Sequence, residues 1–329
     1  MQERRNISMY RDELKGLAIL WVVFFHAQLG LSGILYDIQK IGYGGVDIFF
    51  FLTGFGLYYS LNKSSDLKGY YVRRMQRIMP AYLPFCILWL CVMLPKFELG
   101  TAQSIRTIMG NLFMVGYFAG VPKMINWYVS ALVVALVLAP VIFAFLKGAK
   151  NPRFALVMLL AVAFGIGLCF VGSEQYMAVS RLPIFILGMW FAMPVQKEYK
   201  KHTASLACIA VLALGITLVM ICFVRYPELL IDYGMYWHPF VLIAPALCIG
   251  MGKVFHCAEK YKRFFAPLRA LGKASFEIFL FNCWVEVLGK QFDLANDAGS
   301  WLLWSAISIA VGLLYHMVVT AAMKVAKKA

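Results

Sequence analysis

The sequence is divided into apolar runs that are long enough to cross a lipid bilayer, and this feature limits the possible folds more than any other. A membrane-spanning helix needs about 20 largely apolar residues. Runs of about that length cover residues 14–35, 44–61, 78–95, 126–147, 154–173, 177–195, 204–224, 233–252, 268–290 and 300–323. Backbone polar groups in lipid must be hydrogen-bonded within their own segment, so each run is predicted to be a helix. The sequence therefore predicts an all-α, polytopic membrane protein with about ten transmembrane helices.

Composition excludes the main soluble alternatives. Hydrophobic residues make up 62% of the chain and charged residues only 14%, whereas soluble domains are nearer half apolar and a quarter charged. A soluble enzyme, a nucleic-acid-binding module and a disulfide scaffold are therefore excluded. The eight cysteines form no CxxC pair, and no metal site is predicted. We expect one integral-membrane domain over residues 1–329, with no appended soluble domain.

The basic residues predict the orientation. Most of the 31 Lys and Arg residues fall on one side of the membrane if both the N-terminus and the C-terminus are cytoplasmic, as the positive-inside rule expects. The segment near 104–121 would invert every later loop if it crossed the membrane. It is therefore predicted to be a re-entrant or interfacial segment on the outer side.

Ionisable residues inside apolar spans are costly, and by default each one indicates a functional site. His26 lies eleven residues after Lys15, about 16 Å along a helix. It is either a structural histidine bonded to a neighbouring helix or a general base or acyl carrier, because imidazole both takes and gives protons near neutral pH. Asp47 either caps its helix or orients His26 or an acceptor hydroxyl. Glycines at 42, 44 and 45 permit close backbone approach or a tight turn before that helix.

The other charged residues each have a structural and a functional interpretation. Arg73, Arg74 and Arg77 are predicted to lie on a short cytoplasmic helix before the span that begins near Pro80. They either anchor the chain to lipid headgroups or bind phosphates through their guanidinium groups. Arg181 either snorkels to the outer surface or contacts substrate. Glu277 is deeper and either pairs with Lys273 one turn earlier or contacts substrate.

Four segments together resemble integral-membrane acyltransferase family 3, which includes O-antigen and peptidoglycan O-acetylases. They are, in chain order, "DELKGLAILWVVFFHA", "GGVDIFFFLTGF", "YYVRRMQRIMPAY" and "LGKASFEIFLFN". The corresponding family patterns are D-G-L-R followed ten residues later by His, G-V-D-x-F-F-x-x-S-G-F, R-x-x-R-x-x-P and G-x-x-S-Y-x-x-Y-L-x-H. The resemblance covers essentially the whole chain.

The resemblance implies transfer of an acyl group, usually acetyl, from cytoplasmic acyl-CoA to an acceptor on the membrane or its outer side. It implies that His26 is catalytic and that Arg74 and Arg77 bind CoA. We add Asp47 to the catalytic residues and Arg73 and Lys15 to those that bind the donor. Residues expected to contact the acceptor are Arg181, Glu277, Asn282 and Trp127.

The partners expected are acetyl-CoA or another acyl-CoA, the lipid bilayer, and a cell-envelope glycan, a lipid-linked sugar or a small polar acceptor. No metal and no nucleic acid is expected, and the sequence does not fix the oligomeric state. The expected location is a bacterial-type plasma membrane.

The chain departs from the family pattern at several positions. Lys15 stands where the family usually has Arg, Thr53 replaces Ser, and Asn282 stands where many members have His. The block at 127–131 lacks the Glu of some O-acetylases. Two alternatives stay open. Ten helices with buried charges would also serve the solute path of a membrane transporter or permease, and the departures at Lys15 and Asn282 allow a catalytically degenerate partner subunit of the same fold.

Overall fold

The computed structural model describes residues 2–193, 201–226, 238–291 and 297–326, and these ranges contain helices and turns but no strand. The predicted all-α class is confirmed. In chain order the α-helices of these ranges are α1 Gln2–Met9, α2 Arg11–His26, α3 Gly33–Lys40, α4 Gly44–Lys63, α5 Leu67–Met93, α6 Thr101–Leu112, α7 Trp127–Gly148, α8 Pro152–Leu168, α9 Tyr176–Val179, α10 Leu182–Phe191, α11 Lys201–Arg225, α12 Phe240–Cys257, α13 Ala266–Lys273, α14 Ser275–Gln291 and α15 Ala298–Ala326.

Six helical segments within the described residues are long and apolar enough to cross a membrane. They are Gly33–Lys63, Leu67–Lys96, Trp127–Gly148, Leu206–Arg225, Phe240–Cys257 and Ala298–Ala326. Each one overlaps a predicted span. The other four predicted spans fall on shorter helices, namely α2, α8, the α9–α10 pair and α14. The count of ten spans and the cytoplasmic placement of both termini stay predictions.

The predicted boundary of the first span, 14–35, is wrong. Helix α2 ends at His26, and the chain continues without regular structure before α3 begins at Gly33. Gly30 and Gly33 both have φ near +60°, a left-handed conformation that glycine adopts without steric cost. The amide of Gln39 also donates to the carbonyl oxygens of Phe24 and Ala27, which satisfies groups that a longer helix would have used.

Three other spans also differ from the sequence prediction. The span 177–195 is interrupted between α9 and α10, and Pro183 lies in the first turn of α10, where its missing N–H costs nothing. The span 268–290 is divided between α13 and α14 at Ala274. The predicted short arginine helix is not separate, because α5 begins at Leu67 and continues through Pro80. Membrane helices tolerate such prolines where neighbouring groups compensate.

The segment near 104–121 contains helix α6 and then irregular backbone up to Asn126. A helix of 12 residues is about 18 Å long, which is too short to cross a bilayer core of about 30 Å. The length of α6 is compatible with a re-entrant or interfacial segment, and the placement on the outer side stays a prediction.

Helix α4 lies at the centre of the bundle and packs against α2, α7, α10 and α12. Its apolar residues are distributed all round the helix and most are buried, as expected for a fully enclosed helix. The prediction of close approach at the glycines at and just before the start of α4 is confirmed. Gly42 lies against the backbone of Trp21, Gly45 against that of Ala18, and Gly44 against the ring of Phe240.

Candidate active site

His26 is the last residue of α2 and is bonded to a helix from the other end of the chain. Its Nδ1 lies 2.6 Å from Oδ1 of Asn282 on α14. The imidazole is half-buried and packs beside the ring of Phe25 at 5.2 Å. The structure therefore directs this ring towards another helix and a polar partner.

The hydrogen bonds beyond Asn282 determine which nitrogen of His26 carries the proton. The hydroxyl of Ser308 donates to the carbonyl of Ser305 at 2.8 Å, so its oxygen accepts from Nδ2 of Asn282 at 3.4 Å. The amide oxygen of Asn282 then faces His26, and an amide oxygen only accepts hydrogen bonds. With the amide assigned this orientation, the proton is assigned to Nδ1 of His26, and the neutral ring then carries its lone pair on Nε2.

A cavity of about 330 Å³ opens beside His26. Its wall is formed by residues 25–31, which are the last two residues of α2 and the segment after it, and by Tyr36, Gln39 and Lys40 of α3. Gln39 is buried and bonds to the last carbonyls of α2. This bond fixes the position of α3 over the end of the helix that carries His26.

Asp47 and Arg181 form an ion pair near the start of α4 and α10. The pair is 3.3 Å apart, and each side chain is only 1% exposed. The guanidinium also lies over the rings of Trp127 and Tyr43, at 5.8 and 6.0 Å from their centroids. Aromatic faces attract such a cation, most strongly where water is excluded. Three predicted site residues, Asp47, Arg181 and Trp127, are thus brought together.

The packing of α4 on α10 supports this ion pair. Gly54 lies against the carbonyl of Phe185, and Gly188 lies against the carbonyl of Phe51. Each glycine follows its charged residue by seven positions, which is about two helical turns. The two helices therefore run in the same direction and touch backbone to backbone, and a side chain at either glycine would separate them.

A further hydrogen bond joins these two groups of residues. Asn126 immediately precedes Trp127, and its amide donates to Sγ of Cys283 at 3.2 Å. Cys283 immediately follows Asn282. The same Asn126 accepts from the backbone N–H of Tyr128 at 2.7 Å and so caps α7. The start of α7 is therefore held against the part of α14 that contacts His26.

Four predicted donor-binding residues, Lys15, Arg73, Arg74 and Arg77, form a cationic cluster with Arg11, and we define the cationic cluster as these five residues. Arg77 repels Arg11, Lys15 and Arg74 electrostatically. Arg11 donates to the carbonyl of Leu52 at 3.2 Å, and Arg74 donates to Oγ of Ser60 at 2.6 Å.

Both bonds in the cationic cluster are made to α4, so that helix holds two of the cations in place. Arg73 and Arg77 are exposed. Lys15 contacts Asp12 at 3.5 Å. Helix α2 carries Arg11 at one end and His26 at the other, which is about 22 Å at 1.5 Å per residue.

The sequence pattern of a family described as an acyltransferase domain, acyltransferase family 3, matches residues 10–319. The chain belongs to acyltransferase family 3. It is similar to peptidoglycan O-acetyltransferase OatA of Listeria monocytogenes serovar 1/2a, with 24% identity over 312 residues. That match covers 82% of this chain and 48% of the relative, so the chain spans about half of the relative's length. No solved structure matches the chain.

In this acyltransferase, the predicted site residue Glu277 is paired with a histidine of α15. Glu277 lies 3.0 Å from Nδ1 of His316 on α15, and the structure shows this contact in place of the expected pairing with Lys273. Glu277 is buried. Its predicted contact with the acceptor stays a prediction.

Three residues of the acyltransferase were missed by sequence reasoning. Arg11 lies one turn before Lys15, and this i, i+4 spacing places both on one helix face; that signal was present in the sequence. Gln39 and Ser308 act through hydrogen bonds to residues on other elements. No local pattern distinguishes them from other polar residues in apolar segments.

Proposed function

We propose that this protein transfers an acetyl group from acetyl-CoA to a hydroxyl group of a cell-envelope glycan, at the plasma membrane of a bacterium. The observation that carries the proposal is the layout of α2, which joins a cationic cluster at one end to His26 and its cavity at the other. Membership of acyltransferase family 3 and similarity to a peptidoglycan O-acetyltransferase support the reaction class.

The cationic cluster is the proposed binding site for the phosphates of CoA. Guanidinium groups bind phosphates with two parallel hydrogen bonds, and Arg74 and Arg77 provide two such groups. Lys15 adds a point charge further along α2 towards His26. The pantetheine arm would extend about 16 Å from Lys15 to the imidazole. A path of that length between the helices is part of the proposal.

His26 is the proposed general base. Nε2 takes the proton of the acceptor hydroxyl while the oxygen attacks the thioester carbonyl. A carbon–oxygen bond forms, the carbon–sulfur bond breaks, and the thiolate of CoA leaves and receives the proton from His26. Asn282 is the proposed positioning residue, because its oxygen holds the proton on Nδ1. General-base catalysis is typically worth about 10²–10⁴-fold in rate.

The Asp47–Arg181 pair is proposed to position the start of α4 and α7 around the acceptor. The charges in this pair balance, so it can be buried without a net charge. Oδ2 of Asp47 is buried and accepts no hydrogen bond within the described residues, so the role proposed for this pair is to position its helices. Arg181 and Trp127 form the other side of this group.

The test is acetyl transfer in proteoliposomes containing the purified protein, [¹⁴C]acetyl-CoA and oligosaccharides of N-acetylglucosamine and N-acetylmuramic acid. We expect His26→Ala to lower kcat by about 10²–10⁴-fold without changing the KM for acetyl-CoA. The matched control is His256→Ala, which removes an exposed histidine paired with Glu259 and should leave kcat unchanged. Full activity of His26→Ala would end the assignment, and solute uptake without acetyl-CoA would favour a transporter.

A further inference from the structure

The cavity beside His26 has a second basic side chain in its wall. Lys40, the last residue of α3, lines the same cavity as His26. Its ammonium group lies over the ring of Tyr36, 5.1 Å from the centroid. The ring attracts the cation and limits where the flexible lysine stem can place it. Tyr36 also lines the cavity, so the cation is held at its wall.

The side chains described in the wall of this cavity that can carry a charge near neutral pH are basic. Among the residues that the structure describes, those lining the cavity include Lys40 and His26 and no Asp or Glu. Asp37 is on the same helix but does not line the cavity. Within the described residues Lys40 makes no ion pair with a carboxylate, and its interaction with Tyr36 is the one that the structure shows. A cavity with a held, uncompensated ammonium group is complementary to an anion.

The cavity is at the opposite end of α2 from the cationic cluster. The two ends are separated by the length of the helix from Arg11 to His26, about 22 Å. The phosphates of CoA and the anion that Lys40 would bind are therefore different groups. Since the donor is assigned to the cationic cluster, the cavity remains for the acceptor.

We propose that this cavity is the acceptor site and that Lys40 binds an anionic group, a carboxylate or a phosphate, carried by the acceptor near the hydroxyl to be acetylated. The inference rests on the proposed function. Two sources would supply this chemistry: a carboxylate on the sugar, or the phosphate of a lipid-linked saccharide. Helix α3 exposes Ile34, Leu35 and Ile38, which would place the cavity beside the lipid where a lipid-linked acceptor arrives.

The test compares matched acceptors in the proteoliposome assay. One is an oligosaccharide of N-acetylglucosamine, which is neutral. The second contains N-acetylmuramic acid, which adds carboxylates, and the third is a polyprenyl-pyrophosphate disaccharide. We expect Lys40→Ala to raise the KM for the two anionic acceptors about five- to tenfold at low ionic strength, with kcat and the KM for the neutral acceptor unchanged.

Salt and a charge-preserving variant separate recognition from structural damage. Screening at high ionic strength should shrink the KM difference between wild type and Lys40→Ala, and Lys40→Arg should behave like wild type. The matched control is Lys123→Ala, which removes an ammonium group held 5.0 Å over the ring of Phe97 outside the cavity. The larger effect on the carboxylate or the pyrophosphate acceptor identifies the source of the anion.

Two outcomes overturn the inference: an equal rise in KM for neutral and anionic acceptors, or no rise for either. If the wild-type protein transfers no acetyl group to any of the acceptors, that result would instead count against the proposed function. In that case equilibrium binding of the muramic-acid oligosaccharide to the detergent-solubilised protein decides the role of Lys40. Lys40→Ala should then bind it five- to tenfold more weakly than wild type, and equal binding would refute the site.

Discussion

Replacing Asn282 by leucine removes the hydrogen-bond acceptor that holds the imidazole of His26. The side chain is buried, and its oxygen is 2.6 Å from Nδ1. During general-base catalysis the ring becomes positively charged, and a hydrogen bond to a charged group contributes about 1.5–3 kcal/mol. A loss of about 2 kcal/mol corresponds to about a 30-fold fall in kcat.

The assay is acetyl transfer with kcat and the KM for acetyl-CoA measured separately. The KM should not change, because the cationic cluster lies at the other end of α2. Asn282→Asp is the matched variant: its carboxylate also accepts from Nδ1–H, and it should retain about a third of the wild-type kcat or more. Thermal unfolding in detergent shows whether each variant is folded.

A double-mutant cycle gives the decisive result. If Asn282 acts only through His26, then Asn282→Leu should have no further effect on the residual rate of His26→Ala. An additional 30-fold loss in the double variant would refute the reasoning, because Asn282 would then contribute independently of the imidazole. So would a full kcat for Asn282→Leu in the presence of His26.

Three further predictions concern the packing and charge of the site. Gly188→Ala places a methyl group against the carbonyl of Phe51 and should cost about 1–3 kcal/mol of stability, measured as a lower unfolding midpoint in detergent. The control Gly165→Ala has open space around it and should leave the midpoint unchanged. Asp47→Asn leaves the buried charge of Arg181 uncompensated and should destabilise the protein by about 3–5 kcal/mol. The double variant Asp47→Asn, Arg181→Leu should lose less stability than Asp47→Asn alone. An equal or larger loss of stability in the double variant would count against the pairing. Arg74→Ala and Arg77→Ala should raise the KM for acetyl-CoA, most at low salt. The control Arg153→Ala, which changes an exposed arginine on a different helix, should not raise it. An equal rise in KM for Arg153→Ala would argue against a specific binding cluster.

Local sequence patterns predicted the helical class and several contacts. Hydropathy and run length depend on neighbouring residues, so the helices around 44–61 and 126–147 were located to within a few residues. The glycines at 42, 44 and 45 were predicted to allow close approach, and they do. The resemblance to acyltransferase family 3 was carried by local motifs and is confirmed by the match over residues 10–319.

Contacts between distant segments could not be predicted from the sequence. His26 and Asn282 are 256 positions apart, and nothing near either residue indicates the other. The Asp47–Arg181 pair also could not be predicted, because Asp47 alone is equally well explained as a helix cap and Arg181 alone as a snorkelling residue. The early end of α2 could not be predicted for another reason. Hydropathy carries no information on backbone conformation, and the left-handed Gly30 and Gly33 lie inside an apolar run.

The departure at Asn282 has a physical interpretation in this environment. A second imidazole or a carboxylate at this position would bring another ionisable group into a poorly hydrated site, where an uncompensated charge is costly. An amide fixes the same proton on Nδ1 while adding no charge, and Ser308 fixes the orientation of the amide. Asn282 and Ser308, which are joined to His26 by this chain of hydrogen bonds, are both neutral before the reaction. Neither of them opposes the positive charge that develops on the imidazole, and in the proposed acceptor site the acceptor's anion would compensate Lys40 in the same cavity.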